Sequence, residues 1–553
     1  MVELRHLPAD ALGLPAWARR TLAERPRPAT TPGLPVPATL DNLPRPPDKP
    51  PEDLEVLGAN LEGALAAFEP HVAVLESCRR LRDPKATLVL AGQQPGLAGG
   101  PVYNLFKAVH AIRLARALEE RWGTPVLPAF WNHADDHDVA EVHHVWIQNP
   151  NLDLRKAGLR SLSSGRQPVG DIRLETERHG LDAFEELLRQ NLWEGPEREA
   201  ALQTFLPRDG ETFAQAFTRT LLDLFGHHGL IVIEPEWIRG AMSQSLSRIV
   251  TAGLGESLRA GAELVRATDR EVRIDPEGAA LLYRHVDGRR QALRLKGDEL
   301  AYDDEAGSRT AVELAAELVQ DPLEWSPGAL LRPLVQDTVL PVAAYVGGWG
   351  ELDYHAQLGP LRRAANVALT PFVPRLSGTL VDSHVRSSLR KLDLTLPSAL
   401  AAKGQLGRAE SDEGEAPAVI TTLRKIGERA GQELLELRDE MSALDKGLAM
   451  QLKRGAGQMK DVVEKIAAKA ERVHSNASGR GRRHYRRLDN GLWPREIPQE
   501  RGRSAIEFVA RCGREWLDEL IEEIEPLPTE HVVVDLHDRE FPSATRPGNV
   551  NPG

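Results

Sequence analysis

The sequence predicts an α/β chain whose parallel sheet is interrupted by two insertions and is followed by an α-helical coiled coil. Three observations predict it. Residues 87–131 read as strand, glycine loop, helix and strand in turn. Further strand-like apolar runs recur at 229–235 and 343–348, far along the chain. Between 420 and 474, apolar residues step by three and four.

The first element is proline-rich: Pro26, Pro28, Pro32, Pro35, Pro37, Pro44, Pro46, Pro47, Pro50 and Pro51 predict an extended segment draped over the body. Residues 53–80 then show helical spacing through Leu54, Leu57, Leu61, Leu65 and Phe68. Thr87-Leu88-Val89-Leu90-Ala91 is a short buried strand entering the loop Gly92-Gln93-Gln94-Pro95-Gly96-Leu97-Ala98-Gly99-Gly100-Pro101. A helix over 102–122 leads to a second strand at 124–131, which makes a βαβ unit and hence a parallel pair. A helix over 211–226 precedes the third strand, and the fourth follows near Ala343. A short strand over 368–373 comes next. Inside the second insertion, Glu271-Val272-Arg273-Ile274 and Ala280-Leu281-Leu282-Tyr283-Arg284 alternate like antiparallel hairpins.

The coiled-coil rhythm predicts either one helix on the order of 80 Å long or a hairpin turning near Gly455 and Gly457. Beyond a Gly/Glu patch at 404–416, no other low-complexity segment stands out. The expected organisation has eight parts. These are a Pro-rich segment and helix (1–80), the first part of the core (81–150), a first insertion (151–210) and a core continuation (211–255). A second insertion (256–330), the second half of the core (331–400), the coiled coil (401–480) and a C-terminal segment (481–553) complete it.

Bulk properties narrow the function. With 69 Lys and Arg against 81 Asp and Glu, the net charge of -12 argues against nucleic-acid and membrane-surface binding, which need a cationic face. The basic run 480–487 is read as a solvated loop first and as an anion contact second. Only Cys78 and Cys512 are present, which excludes a disulfide framework and a cysteine zinc site. Neither a signal peptide nor a membrane span of about 18 apolar residues is visible, so the cytosol is expected.

Three constellations carry the chemistry. In the 92–104 loop, Gly92 and Gly99 permit close backbone approach to an anion, which the start of the following helix favours. Gln93, Gln94, Tyr103 and Asn104 add hydrogen-bonding groups there, and Lys107 a cation. The pattern is neither a Walker A loop nor a GxGxxG fingerprint. Next, Asp135, Asp136, His137 and Asp138 directly follow a strand. Three carboxylates within four positions repel one another unless a cation, a proton or donors intervene. They suit Mg²⁺, sugar hydroxyls, or general-base work by His137 or an aspartate. Third come Gln336 and Asp337, then Tyr345-Val346-Gly347-Gly348 with Glu351, where another strand empties into a glycine turn. Arg375, after the short strand, is a candidate carboxylate clamp.

In this order, and over nearly the whole chain, these segments resemble the bacillithiol cysteine-adding enzyme family. The pieces that carry the likeness are Gly92-Gln93-Gln94-Pro95-Gly96-Leu97 through Gly100-Pro101-Val102-Tyr103, Phe130-Trp131 with Asp135-Asp136-His137-Asp138, and Ala344-Tyr345-Val346-Gly347-Gly348 with Glu351. Val373-Pro374-Arg375-Leu376-Ser377 and Gln499-Glu500-Arg501 add to it, while Trp349 and Asp353 depart from the pattern. The resemblance implies a Rossmann-like core with two connecting insertions, a coiled-coil domain and a homodimer formed through it. It also implies a ligase that joins cysteine to glucosaminyl-malate by an amide bond. Asp136, His137 and Asp138 are the expected catalytic groups, and the other residues named above would bind substrate or nucleotide. Because a free carboxylate must be activated before it forms an amide, ATP with Mg²⁺ is the expected driver. Two rivals remain at this point: a glycosyltransferase using Asp136-His137-Asp138 as a metal site, and a coiled-coil scaffold without catalysis.

Overall fold

The structure is a computed structural model that describes residues 3–12, 14–23, 34–45, 53–162, 166–268, 270–303, 307–409, 418–477 and 480–536. Pro26, Pro28, Pro32, Pro46, Pro47, Pro50 and Pro51, and most of the Gly/Glu patch, lie outside the described residues. The chain divides into two compact units, Met1–Asp382 with Gln499–Gly553, and Ser383–Pro498.

In the larger unit, the predicted strands assemble as expected. Strand β1 (Thr87–Gln93) leads through helix α1 (Tyr103–Trp122) to β2 (Val126–Asn132). Gly123, at φ 64°, ends α1 in the left-handed conformation that glycine adopts without steric cost. After the first insertion, helix α2 (Phe213–Phe225) precedes β3 (Ile231–Ile233). Past the second insertion come helix α3 (Arg332–Val339), β4 (Val342–Gly347), helix α4 (Trp349–Ala356) and β5 (Phe372–Pro374). Every neighbouring pair in the sheet is parallel, and the spatial order is β5-β4-β1-β2-β3. These strands are buried throughout apart from Gln93, as helix-covered parallel strands must be. From β1 the chain fills the sheet in one direction and then, with β4 and β5, in the other. Order therefore reverses between β1 and β4, and at such a switch point the loops leave a crevice beyond the carboxyl ends of the strands.

Several elements differ from expectation. The 53–80 stripe is two helices, Leu54–Ala66 and Val72–Arg80. Pro70 restricts the preceding residue, and Glu69 turns to φ 50° there. Residues 271–274 form no strand. Ala280–Val286 pairs instead with Arg289–Lys296 across Asp287-Gly288, whose positive φ angles of 49° and 70° suit a two-residue hairpin. The N-terminal strand Glu3–Leu7 and the late strand His531–Asp535 form a further sheet with Gly378–Val381. The described part of the proline-rich segment is extended against the core: Leu34 and Val36 are buried, and Pro35 O accepts from Phe372 N at the outer edge of β5. Trp349 meets Trp17 edge-on at 5.7 Å, so this departure from the family pattern serves contact with the N-terminal segment.

The smaller unit is helical. Ala418–Glu436 packs antiparallel on Lys446–Ala477, with Arg424 paired to Glu464 and Glu471. The helices therefore form a hairpin, but its turn lies at 437–445. Gly455 and Gly457 sit inside the long helix, and a Cβ on either would meet nothing within 4 Å. Asp445 starts that helix, its Oδ1 accepting from Gly447 N at 2.7 Å and Leu448 N at 3.2 Å. No helix among the described residues is long and apolar enough to cross a membrane.

Candidate active site

The loop after β1 is held by its own polar groups. Asn104 Nδ2 donates to Gly99 O at 3.0 Å, tying the glycine turn to the first turn of α1. A Cβ on Gly92 would lie 2.6 Å from His133 Nε2, so glycine is what lets the His133 imidazole lie against β1. Lys107, 1% exposed, donates to Gly92 O at 2.6 Å, Gln93 Oε1 at 2.9 Å and Glu351 Oε2 at 2.7 Å. The same Glu351 carboxylate accepts from Gly348 N at 2.8 Å and from the Tyr345 hydroxyl at 2.7 Å. Lys107 and Glu351 thus pin the ends of β1 and β4 together across the switch point. Burial pushes the Lys107 ammonium down despite Glu351, whereas Lys107 and Arg332 outweigh burial and hold Glu351 low. All three Lys107 protons are engaged, so its role is to clamp the strand ends rather than to offer a spare cation.

The Asp135–Asp138 run also resolves residue by residue. Asp135 is ion-paired with Arg239 at 2.5 Å; burial opposes its charge, and Arg239 overcomes this. Asp136 accepts Gln94 Nε2 at 2.6 Å through one oxygen, and His137 N at 2.6 Å through the other. Asp138 is exposed and caps the short helix Val139–Val142, accepting from Ala140 N at 3.0 Å. The three carboxylates therefore face different partners and do not converge on one cation. Asp136 and Asp138 do not form the shared metal site that the glycosyltransferase reading requires. His137 is 41% exposed, with its ring 5.7 Å from Tyr283 and its Nδ1 3.3 Å from Arg290.

A cavity of about 510 Å³ opens where these strand ends meet. Of the predicted residues, Gln93, Gln94, Tyr103, Lys107, Asp135, Asp136, Gly348, Glu351 and Arg375 line it. Gly92, Gly99, Asn104, Gln336, Tyr345 and Gly347 are not part of that lining, and neither are His137 and Asp138, two of the expected catalytic groups. Tyr345 is core, stacked 4.8 Å from His355, and a Cβ on Gly347 would strike Phe372 at 2.5 Å. Gln336 is fully buried and accepts from Arg332 at 2.7 Å. Asp337 lies away from the cavity, ion-paired with Arg362 at 2.5 Å and grouped with Thr87 and Val342 at the opposite strand ends. The reason is geometric: consecutive helical residues point roughly 100° apart, so only one of the pair can follow Arg332.

Arg273, Tyr283, Arg290 and Arg332, to which sequence reasoning gave no chemical role, also line the cavity, as do Tyr354 and Arg501. Arg332 donates to Tyr354 Oη at 2.8 Å, and the Arg375 and Arg501 guanidiniums lie 5.1 and 5.8 Å from the Tyr103 ring. Burial pushes the Tyr103 hydroxyl up to about 12. His133 is held well below its usual value by burial and by Arg332 and Lys107 nearby, so its imidazole is neutral. Arg332 stands four residues before Gln336, a spacing that marked it as a neighbour. No local pattern marks Arg290 or Arg273.

The lining carries six cations (Lys107, Arg273, Arg290, Arg332, Arg375, Arg501) against four carboxylates (Asp135, Asp136, Glu141, Glu351). In a chain of net charge -12, this is a local reversal of sign fitted to anionic ligands.

Comparison with known proteins agrees with the layout. Residues 47–376 match the family described as "Bacillithiol biosynthesis BshC, N-terminal Rossmann-like domain". Residues 378–536 match its C-terminal coiled-coil domain. A relative from Koribacter versatilis, named "Putative cysteine ligase BshC", is 29% identical over 485 residues, covering 86% of this chain and 88% of its own. One of the same name from Geobacillus thermodenitrificans is 28% identical over 475 residues, covering 82% and 85%. With both domains matched in order, the chain belongs to the BshC family of bacillithiol biosynthesis.

Proposed function

We propose that the chain is a cytoplasmic ligase joining the carboxyl group of cysteine to the amine of glucosaminyl-malate, the last step of bacillithiol biosynthesis. The observation that carries this reading is the cationic cavity at the β1–β4 switch point, with Asp136 on its wall. Both substrates are acids, and one of them must also give up a proton from its amine.

Bound ATP would supply the driving force, as the phosphoryl or adenylyl donor that turns a cysteine carboxylate oxygen into a leaving group. The amine then attacks the carbonyl carbon, the new C–N bond forms, and the activated oxygen departs with its phosphate. The amine proton passes to Asp136, which is held in place by Gln94 and two backbone N–H groups. Asp136 and Glu141 have no lysine or arginine within 4.0 Å among the described residues. Burial and the neighbouring Asp138 and Asp136 charges push Glu141 up. Of the two, Glu141 is the one that would meet Mg²⁺ arriving with nucleotide phosphates, which leaves Asp136 to the amine. In the helical unit Ile426, Leu437, Met459, Val462 and Ile466 are exposed, and a second copy of the chain is the proposed cover for them.

The test is mass spectrometry of purified protein incubated with cysteine, glucosaminyl-malate, ATP and Mg²⁺. The conjugate mass is expected. A folded protein that forms none with any of several nucleotides overturns the reading.

A further inference from the structure

Among the described residues, buried arginines follow a rule with two exceptions. Arg219, Arg239, Arg362, Arg503 and Arg511 are each ion-paired, with Glu211, Asp135, Asp337, Glu507 and Asp382 respectively, and Arg270 has Asp353 at 3.9 Å. Arg290 and Arg332 are as deeply buried, at 5% and 7% exposure, and neither has a carboxylate within 4.0 Å among the described residues. Both line the same cavity. A desolvated guanidinium with no anion in contact is costly, so the lack of a contacting carboxylate at both positions, with Glu351 near Arg332 and Asp135 near Arg290 only at longer range, points to the ligand as its source.

The two are not equivalent. Arg332 has short bonds to Gln336 and Tyr354, at 2.7 and 2.8 Å. Among the described residues Arg290 makes only long ones, at 3.3 Å to Ser326 Oγ and His137 Nδ1 and at 3.4 Å to Pro327 O, and its Nε has no partner there. What holds Arg290 is shape. Its guanidinium stacks 3.5 Å from the Tyr283 ring centroid, and its backbone is locked in the hairpin opposite His285. The side chain is thus aimed in advance, with its hydrogen-bonding capacity only weakly used. Burial accordingly lowers the Arg290 pKa, whereas that of Arg332 is raised.

We propose that Arg290, carried by the second insertion, recognises a malyl carboxylate of the amine substrate, while Asp136 on the same cavity wall receives that molecule's ammonium group. This rests on the ligase reading and assigns one wall of the cavity to one substrate. Persistence of charge favours a malyl carboxylate over the cysteine carboxylate at Arg290. Its reacting carboxylate loses its charge on activation, so an ion pair to it would be strongest in the ground state and oppose the reaction. Malyl carboxylates remain ionised throughout. Arg290 therefore binds ground state and transition state alike, and its loss appears in KM rather than kcat.

The experiment compares the full-length protein with Arg290→Gln and Arg290→Lys. The KM for glucosaminyl-malate is expected to rise about tenfold or more in Arg290→Gln, as for the loss of a charged hydrogen bond, with the KM for cysteine little changed. The preference for glucosaminyl-malate over methyl glucosaminide, which has no carboxylate, should collapse in step. An increase confined to the cysteine KM overturns the proposal. Two measurements stand apart from the variants' folding and from turnover. Calorimetry should show free malate binding to the wild type and, in folded Arg290→Gln, binding at least about tenfold more weakly. In wild-type turnover, free malate should compete with the amine substrate and not with cysteine. Equal malate binding by both proteins, or no malate binding to the wild type, overturns the proposal. Absence of any amide product overturns the ligase reading instead and leaves calorimetry to judge Arg290.

Discussion

Lys107 and Glu351 are far apart in sequence yet share one buried contact, and removing one partner leaves the other charge stranded. Lys107→Met is expected to cost about 3–5 kcal/mol in urea denaturation, and Lys107→Met with Glu351→Gln to recover part of it. Asp138 has an outward-facing task. Asp138→Ala should lose about 1 kcal/mol with the helix cap, while Asp138→Asn keeps the accepting oxygen and should keep turnover. A tenfold fall in kcat for Asp138→Asn would instead place its charge in the chemistry. Glu234, buried beside Thr218, is pushed up from 4.5 to about 7, mainly by burial and then by Glu236 and Asp171. The folded state binds this proton more tightly than the unfolded chain, so its stability contribution is complete below pH 4.5 and lost as pH rises through about 7. Glu234→Gln should remove that slope, and gain on the wild type at pH 8 by an amount on the order of 3 kcal/mol. Denaturation at pH 4.5 and pH 8 measures the difference.

Among the elements, strands and loops of the core were legible because their signals are short-range. Leu88-Val89-Leu90-Ala91 is apolar on both faces, and the glycines after it fit no regular element. The hairpin of the helical unit was legible as a rhythm but not as a turn. Gly455 and Gly457 resemble breakers, yet an exposed helix absorbs a glycine at roughly 1 kcal/mol. The informative glycine is Gly427, where a Cβ would lie 2.9 Å from Val463. Gly427→Leu should force the two long helices apart and lower the melting temperature of the helical unit, followed by circular dichroism. Gly457→Ala, with nothing near it, should leave that transition in place or raise it.

For the molecule as a whole, the proposed pairing of two chains makes a claim about mass. Light scattering should return twice the 60.9 kDa chain mass, and Ile426→Glu with Ile466→Glu should return it to the single-chain value. A wild type that stays at 60.9 kDa across micromolar concentrations would contradict the pairing. The sheet joining Glu3–Leu7 to His531–Asp535 also belongs to this scale, because it links the two ends of the chain. Neither strand announces its partner, since pairing depends on what lies alongside and not on what lies next in sequence.

By itself, the sequence determined the order of strands and helices, the glycine turns that end them, and the family to which they belong. The elements and turns follow from periodicity and backbone freedom, read over a few neighbouring residues, and the family from the resemblance of whole motifs taken in order. Only the tertiary structure decided which charges remain available to a ligand. Asp135 is consumed by Arg239, 104 positions away, and Arg375 by Glu500, 125 positions away, whereas Arg290 and Arg332 keep no carboxylate within 4.0 Å among the described residues. Coulomb attraction and desolvation depend on distance in space, and no stretch of the chain records that distance.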